Sequence, residues 1–280
     1  MDTRKERRFT SDLPVRLIAA DIDGTLLNDQ RELSEENLMA IHAAQDRGIV
    51  FAIASGRFPE NVFVMMQDAG VSCPVIASNG ARVMDENRQL IARHSMDADA
   101  ARQVLDILTE LGADFFLFGE GAQCASRPYL MHHSQLQYGD RLRALGYVYQ
   151  YGLDAARRMI QSPVYAIYIN NRVPLEVVYQ ALRAVPDLTL TRSSPSNLEV
   201  LPQGVDKALG VQDLARYLRI PMAQVMALGD EENDLSLIRS AGCGVAMGNA
   251  VDSVKRAAAH VTDTNQQNGL AKAIARWALV

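Results

Sequence analysis

Asp21 and Asp23 interrupt an otherwise apolar segment, LIAADIDGTLL, at residues 17–27. Such a run has the texture of a buried strand, and burying carboxylates costs several kcal/mol unless something offsets their charge. Two apart on an extended chain, the two carboxylates project to the same side. Polar groups also follow two other apolar runs: Ser55-Gly56-Arg57 after 49–54, and Gly229-Asp230-Glu231-Glu232-Asn233-Asp234 after 224–228. Carboxylates brought together repel, so either one keeps a proton or a cation sits among them. Oxygen ligation with few protein carboxylates suits Mg2+, which keeps waters and shares its shell with substrate phosphate. Ser55 and the backbone N–H of Gly56, at a strand-to-helix junction, suit an anion. Lys207, in LPQGVDKALG, supplies a positive charge against phosphate oxygens and offsets the carboxylates.

These residues meet only if the strands that carry them lie side by side. Apolar β-type runs at 15–20, 49–54 and 74–77 alternate with helical stretches at 34–47 and about 59–69. This βαβαβ order implies parallel strands with right-handed crossovers. In the first helix Ser34 suits the N-cap, Glu35 and Glu36 the positive end of the dipole, and Gly48 the left-handed exit. The pattern returns with a helix at 206–218, a strand at 224–228, a helix at 231–240, a strand at 243–247, and helices from about Val251 and Leu270. The expected core is therefore a doubly wound parallel α/β sheet, with the polar groups at the shared carboxyl edge of its strands.

Between the two halves the texture changes to alternating runs, DFFLFG at 114–119, VYAIYIN at 164–170 and LTLTRS at 188–193, with helical stretches near 97–111 and 174–185. Alternation implies a sheet with one face buried, hence an α+β insert. The expected organisation is a core of 1–84 and 199–280 with an inserted domain at 85–198.

The net charge of -5 argues against nucleic acid or an anionic membrane as main partner. Cys73, Cys124 and Cys243 are too scattered for a metal or redox motif and read as buried small residues in a reduced compartment. The longest apolar run, 49–54, is too short to span a bilayer, and the polar start lacks the apolar core of a secretion signal. The expectation is a cytoplasmic monomer or small homo-oligomer acting on a small-molecule phosphate ester, with a polar, frayed first dozen residues.

Six segments in order, DIDGTLL (21–27), ASGR (54–57), SNGA (78–81), GVDKALG (204–210), GDEEND (229–234) and VAMGNA (245–250), resemble the Cof-like phosphatases. These form part of subclass IIB of the haloacid dehalogenase superfamily. The resemblance implies a Rossmann-like core with an inserted α/β cap, and an Mg2+-dependent phosphomonoesterase acting on sugar phosphates or phosphorylated cofactor precursors. By position it makes Asp21 the nucleophile that forms an aspartyl-phosphate, and Asp23 the acid that protonates the leaving alcohol and then activates water. Asp230 ligates Mg2+ with the Asp21 carboxylate and the Asp23 backbone carbonyl, and Asp234 supports the metal site. Ser55, Lys207 and Asn233 hold the phosphoryl group, Lys207 keeps Asp21 ionised, and Thr25 braces the loop.

Asn79 and Asn249 match motif positions, with a structural turn role as the alternative for each. Glu231 departs from the small residue many relatives carry, and either faces solvent or touches the metal shell. Arg57 reaches the leaving group or makes local salt bridges at a helix start. His132-His133 suggests a metal but lacks a third ligand, Tyr129, Met131 and Tyr138 line a substrate pocket or the insert's own core, and His260 reads as structural. A phosphosugar mutase, which would have to exclude water, and a non-catalytic phosphometabolite sensor are the competing functions; the sensor should have lost an essential aspartate or the lysine, and all are present.

Overall fold

The computed structural model describes residues 14–130, 138–170, 172–194 and 196–280; the first dozen residues, Met131 and the His132-His133 pair lie outside them. In chain order the strands are β1 (Leu17–Ala20), β2 (Val50–Ala54), β3 (Val75–Ala77), β4 (Arg82–Met84), β5 (Leu90–Arg93), β6 (Phe115–Gly119), β7 (Ala122–Ala125), β8 (Val148–Tyr151), β9 (Val164–Asn170), β10 (Leu188–Thr191), β11 (Asn197–Pro202), β12 (Val225–Gly229), β13 (Cys243–Ala246) and β14 (His260–Val261). They form an eight-stranded sheet, in the order β14-β13-β12-β1-β2-β3-β4-β5, and a six-stranded sheet, β10-β11-β9-β6-β7-β8.

From β14 to β3 the first sheet is parallel, and β4 and β5 close it with antiparallel pairings. Every residue of β1 and β12 is buried, which their unbroken apolar sequences require of strands covered on both faces. The strand order reverses at β1: β2 lies on one side of it and β12 on the other, the arrangement that opens a crevice beyond the strand ends. Helix Glu35–Asp46 starts where Ser34 Oγ accepts the Asn37 N–H at 3.2 Å, and Gly48 leaves it at φ 75°. Helix Lys207–Leu218 starts at Asp206, whose carboxylate accepts the Leu209 N–H at 2.9 Å. That cap places Lys207 in the first turn, over the crevice.

The six-stranded sheet is antiparallel except where β7 pairs β8. One face, with Phe115, Leu117, Ile167, Ile169, Leu198 and Val200, packs into a separate apolar core with helices Ala98–Glu110 and Leu175–Leu182. The alternate residues, among them Phe116, Phe118 and Tyr168, turn to the other face, toward the eight-stranded unit. There Phe58 stacks on Tyr147 with ring centroids 4.7 Å apart.

The changes of sheet fall later than the sequence expectation of 84 and 199. β5 still belongs to the first sheet, and β11 runs to Pro202 in the second. β5 pairs with its neighbour β4, and β11 with β10 and β9. The three cysteines are free and buried. No helix among the described residues is long and apolar enough to cross a membrane.

Candidate active site

The carboxyl ends of β1, β2 and β12 bring the separated motifs together. Lys207 is fully buried, and its ammonium donates to Asp21 Oδ1 and to Asp234 Oδ1, each at 2.6 Å. An unpaired ammonium there would cost several kcal/mol, and the two carboxylates offset it. Burial alone would lower the pKa of Lys207, but Asp21 and Asp234 beside it raise it above the usual lysine value. Asp234 also accepts the N–H groups of Asp230 (2.9 Å) and Glu231 (3.1 Å) with Oδ2, so it fixes the loop that carries Asp230. Thr25 donates to Asp230 Oδ1 at 2.8 Å. Asn249 ties the same corner, donating to the Gly24 carbonyl at 2.8 Å and accepting the Asn265 N–H at 2.9 Å.

Asp21, Asp230 and Asp234 place carboxylate oxygens within 4.8 Å of one another. Three carboxylates against one ammonium leave two negative charges when all are ionised, which a divalent cation would neutralise. Without one, burial pushes Asp21 up to about 7 and Asp230 up to about 8. The all-oxygen donor set fits Mg2+. Asp234 has both oxygens engaged by Lys207 and backbone, so its place is behind Asp21 and Asp230. Glu231 stands outside the trio and is only partly buried.

Asp23 turns toward a different partner. Arg57 grips it through two parallel hydrogen bonds, Nε to Oδ2 at 2.9 Å and Nη2 to Oδ1 at 2.6 Å. Arg57 does make an ion pair, but with Asp23, 34 positions away in the chain, rather than with a neighbour at its own helix start. Ser55 is buried and its Oγ accepts the Arg57 N–H at 3.2 Å, while the Gly56 N–H has no protein acceptor among the described residues.

Asp21, Asp23, Ser55, Gly56, Arg57 and Asn233 border one cavity of about 470 Å3, closed from the other side by Phe116, Phe118, Gln123, Tyr168, Asn170, Ser193, Asn197 and Glu199 of the six-stranded unit. Sequence reasoning did not find this second group. Its one signal was the period of two in 114–119 and 164–170, which puts Phe116 with Phe118 and Tyr168 with Asn170 on the face away from the helices. Tyr129 and Tyr138 do not border the cavity: the Tyr129 hydroxyl donates to the Asp114 carboxylate, and Tyr138 packs against the apolar cluster that includes Phe58 and Tyr147. His260 stacks on Trp277 with ring centroids 4.6 Å apart, far along the sheet.

Residues 18–274 match the family model of haloacid dehalogenase-like hydrolases. The chain is 32% identical over 268 residues to a 5-amino-6-(5-phospho-D-ribitylamino)uracil phosphatase of Bacillus subtilis, covering 96% of this chain and 98% of that protein. A second B. subtilis phosphatase of the same name is 30% identical, over 91% of this chain and 95% of the other. Among solved structures, a phosphatase of the haloalkanoate enzyme superfamily from Bacteroides thetaiotaomicron superposes with a TM-score of 0.80 at 26% identity, over 95% of this chain and 96% of its own.

Proposed function

Because the chain belongs to the haloacid dehalogenase-like hydrolase family and is a phosphoric monoester hydrolase, we propose that Asp21 is its nucleophile and that Asp23 handles the protons. The observation that carries this reading is Asp21 itself. It borders the cavity with Oδ1 held by Lys207 and Oδ2 unengaged among the described residues.

In this mechanism Asp21 attacks phosphorus in line, the ester P–O bond breaks, and the departing oxygen takes a proton from Asp23. Water then attacks the aspartyl-phosphate, losing its proton to Asp23, and orthophosphate leaves with Asp21 restored. Arg57 holds both Asp23 oxygens, so it must yield one of them to the leaving group. Lys207, Asn233, Ser55 and the Gly56 N–H surround the phosphoryl oxygens. Mg2+, held by Asp21, Asp230 and the Asp23 backbone carbonyl, supplies charge neutralisation for the phosphoryl group.

We read the six-stranded unit, which runs from helix Ala98–Glu110 to the end of β11 at Pro202, as a cap that selects the leaving group. Aromatic faces (Phe116, Phe118, Tyr168) stand there beside amides (Gln123, Asn170, Asn197). The Gln123 Oε1 is buried without a partner, an acceptor that a substrate hydroxyl or N–H would satisfy. This lining suits a polyhydroxylated chain bearing a flat ring, the kind of leaving group named for the B. subtilis relatives. The substrate class is therefore a phosphorylated cofactor precursor or a sugar phosphate.

The test is phosphate release with Mg2+ across sugar phosphates, nucleotides and phosphorylated vitamin precursors, with Asp21→Asn as control. Turnover that disappears in the variant supports the reading. Undiminished activity in pure Asp21→Asn overturns it.

A further inference from the structure

Glu199 is a buried carboxylate on β11 that no step above uses, 1% exposed and facing the site from the six-stranded sheet. It accepts from the amide of Asn79, the hydroxyl of Ser193 and, at 3.0 Å, the amide of Asn197. We propose that Glu199 is a positioning residue for the phosphate site, acting through Asn79 to fix which way the Asn233 amide faces. This inference rests on the phosphate-binding role given to Asn233 above.

The two Glu199 oxygens face donors on Asn79, Ser193 and Asn197 and so act as acceptors, and Asn79 must turn its NH2 group toward Glu199. Its Oδ1 then points the opposite way, where it accepts from Asn233 Nδ2 at 3.0 Å. Asn233 is thereby held with its NH2 forward. The second N–H of that group has no other acceptor among the described residues, and Asn233 borders the cavity. A reversed Asn233 would meet the phosphoryl oxygens with its carbonyl and repel them.

Two further observations point the same way. Ser78 and Asn79 both sit in the left-handed backbone region, at φ 47° and 51°, and a non-glycine pair held there by its surroundings is a strain found at functional positions. Tyr168 is the register partner of Glu199 across the sheet, and its hydroxyl donates to the Gly56 carbonyl. Neighbouring side chains on one face of the second sheet thus grip both segments of the phosphate cradle. The cradle is complete only with the six-stranded unit docked on it.

The test is a double-mutant cycle read by orthophosphate affinity, measured by calorimetry on the Mg2+-loaded protein, beside kcat and KM for p-nitrophenyl phosphate. Glu199→Leu and Asn79→Gly, the latter keeping the left-handed backbone, should each weaken orthophosphate about tenfold or more. Glu199→Gln, which keeps one acceptor oxygen for Asn79 but turns an NH2 toward the Asn197 amide, should weaken phosphate less than Glu199→Leu. In an Asn233→Ala background neither Glu199→Leu nor Asn79→Gly should weaken phosphate by more than about twofold, because the relay has lost its end point. If Glu199→Leu fails to fold, Asn79→Gly carries the cycle. Unchanged orthophosphate affinity in Asn79→Gly, or losses that simply multiply in the Asn233→Ala background, would overturn the relay. Wild-type protein that binds orthophosphate yet releases none from any ester would instead contradict the phosphatase reading and leave the cycle interpretable.

Discussion

Gly24 shows how tightly single residues are constrained around the carboxylates. Its φ is 83°, and an added Cβ would lie 2.2 Å from Asp230 Oδ2, so any side chain must displace Asp230. Gly24→Ala should therefore lower kcat/KM for p-nitrophenyl phosphate at least about tenfold, through left-handed strain and a shifted aspartate together. Wild-type kinetics in that variant would show that Asp230 does not need its present position. At this scale the sequence was most informative where chemistry concentrates: Asp21, Ser55, Lys207, Asp230 and Asn233 were named from apolar runs ending in polar residues and from motif order. The pairing of Arg57 with Asp23 and the contact of Glu199 with Asn79 were not legible. Each joins residues far apart in the chain, 34 and 120 positions respectively, with no local pattern to mark it.

Helix Lys207–Leu218 acts as the mount for the buried lysine. Asp206 caps it, so Asp206→Ala should cost about 1 kcal/mol, a drop of a few degrees in Tm. The same change should lower kcat/KM more than the lost stability explains, since it loosens the first turn, and thermal melting beside steady-state kinetics would separate the two. Full activity with a lowered Tm would mean that Lys207 is placed by Asp21 and Asp234 alone. Strongly patterned elements were readable: the capped helix at Ser34, the unbroken apolar β1 and β12, and the alternating β6 and β9 each declare their environment. β4, β5, β7 and β8 were not. They are three or four residues long and none is apolar or alternating throughout, so what makes them strands is pairing with a neighbouring strand rather than their own composition.

On the scale of the molecule, a buried acidic cluster makes stability depend on pH and on the cation. Asp21 at about 7 and Asp230 at about 8 in the cation-free fold stand above the unfolded carboxyl value of about 3.9. The folded chain then binds more protons than the unfolded one between those values, so its stability falls as pH rises through that window. Mg2+ bound among these carboxylates would replace those protons. The Tm gained on adding Mg2+ should therefore be larger at about pH 8 than at about pH 5.5, and a gain that is equal or larger at the lower pH would contradict a cation among these carboxylates. The sequence conveyed that there would be a parallel core and a separate alternating insert, but not how the insert docks, because that surface is assembled from Phe58, Tyr147, Phe118 and Tyr168, aromatics that read equally well as core. What joins the two sheets to a chemical role is the covalent step at Asp21. The most direct measurement is to acid-quench the protein during turnover of p-nitrophenyl phosphate, reduce it with borohydride, and map the peptides by mass. An acyl phosphate at Asp21 would be reduced to homoserine at position 21, which is the expected result. Modification at another carboxylate, with the Asp21 peptide unchanged through the first turnover, would contradict it.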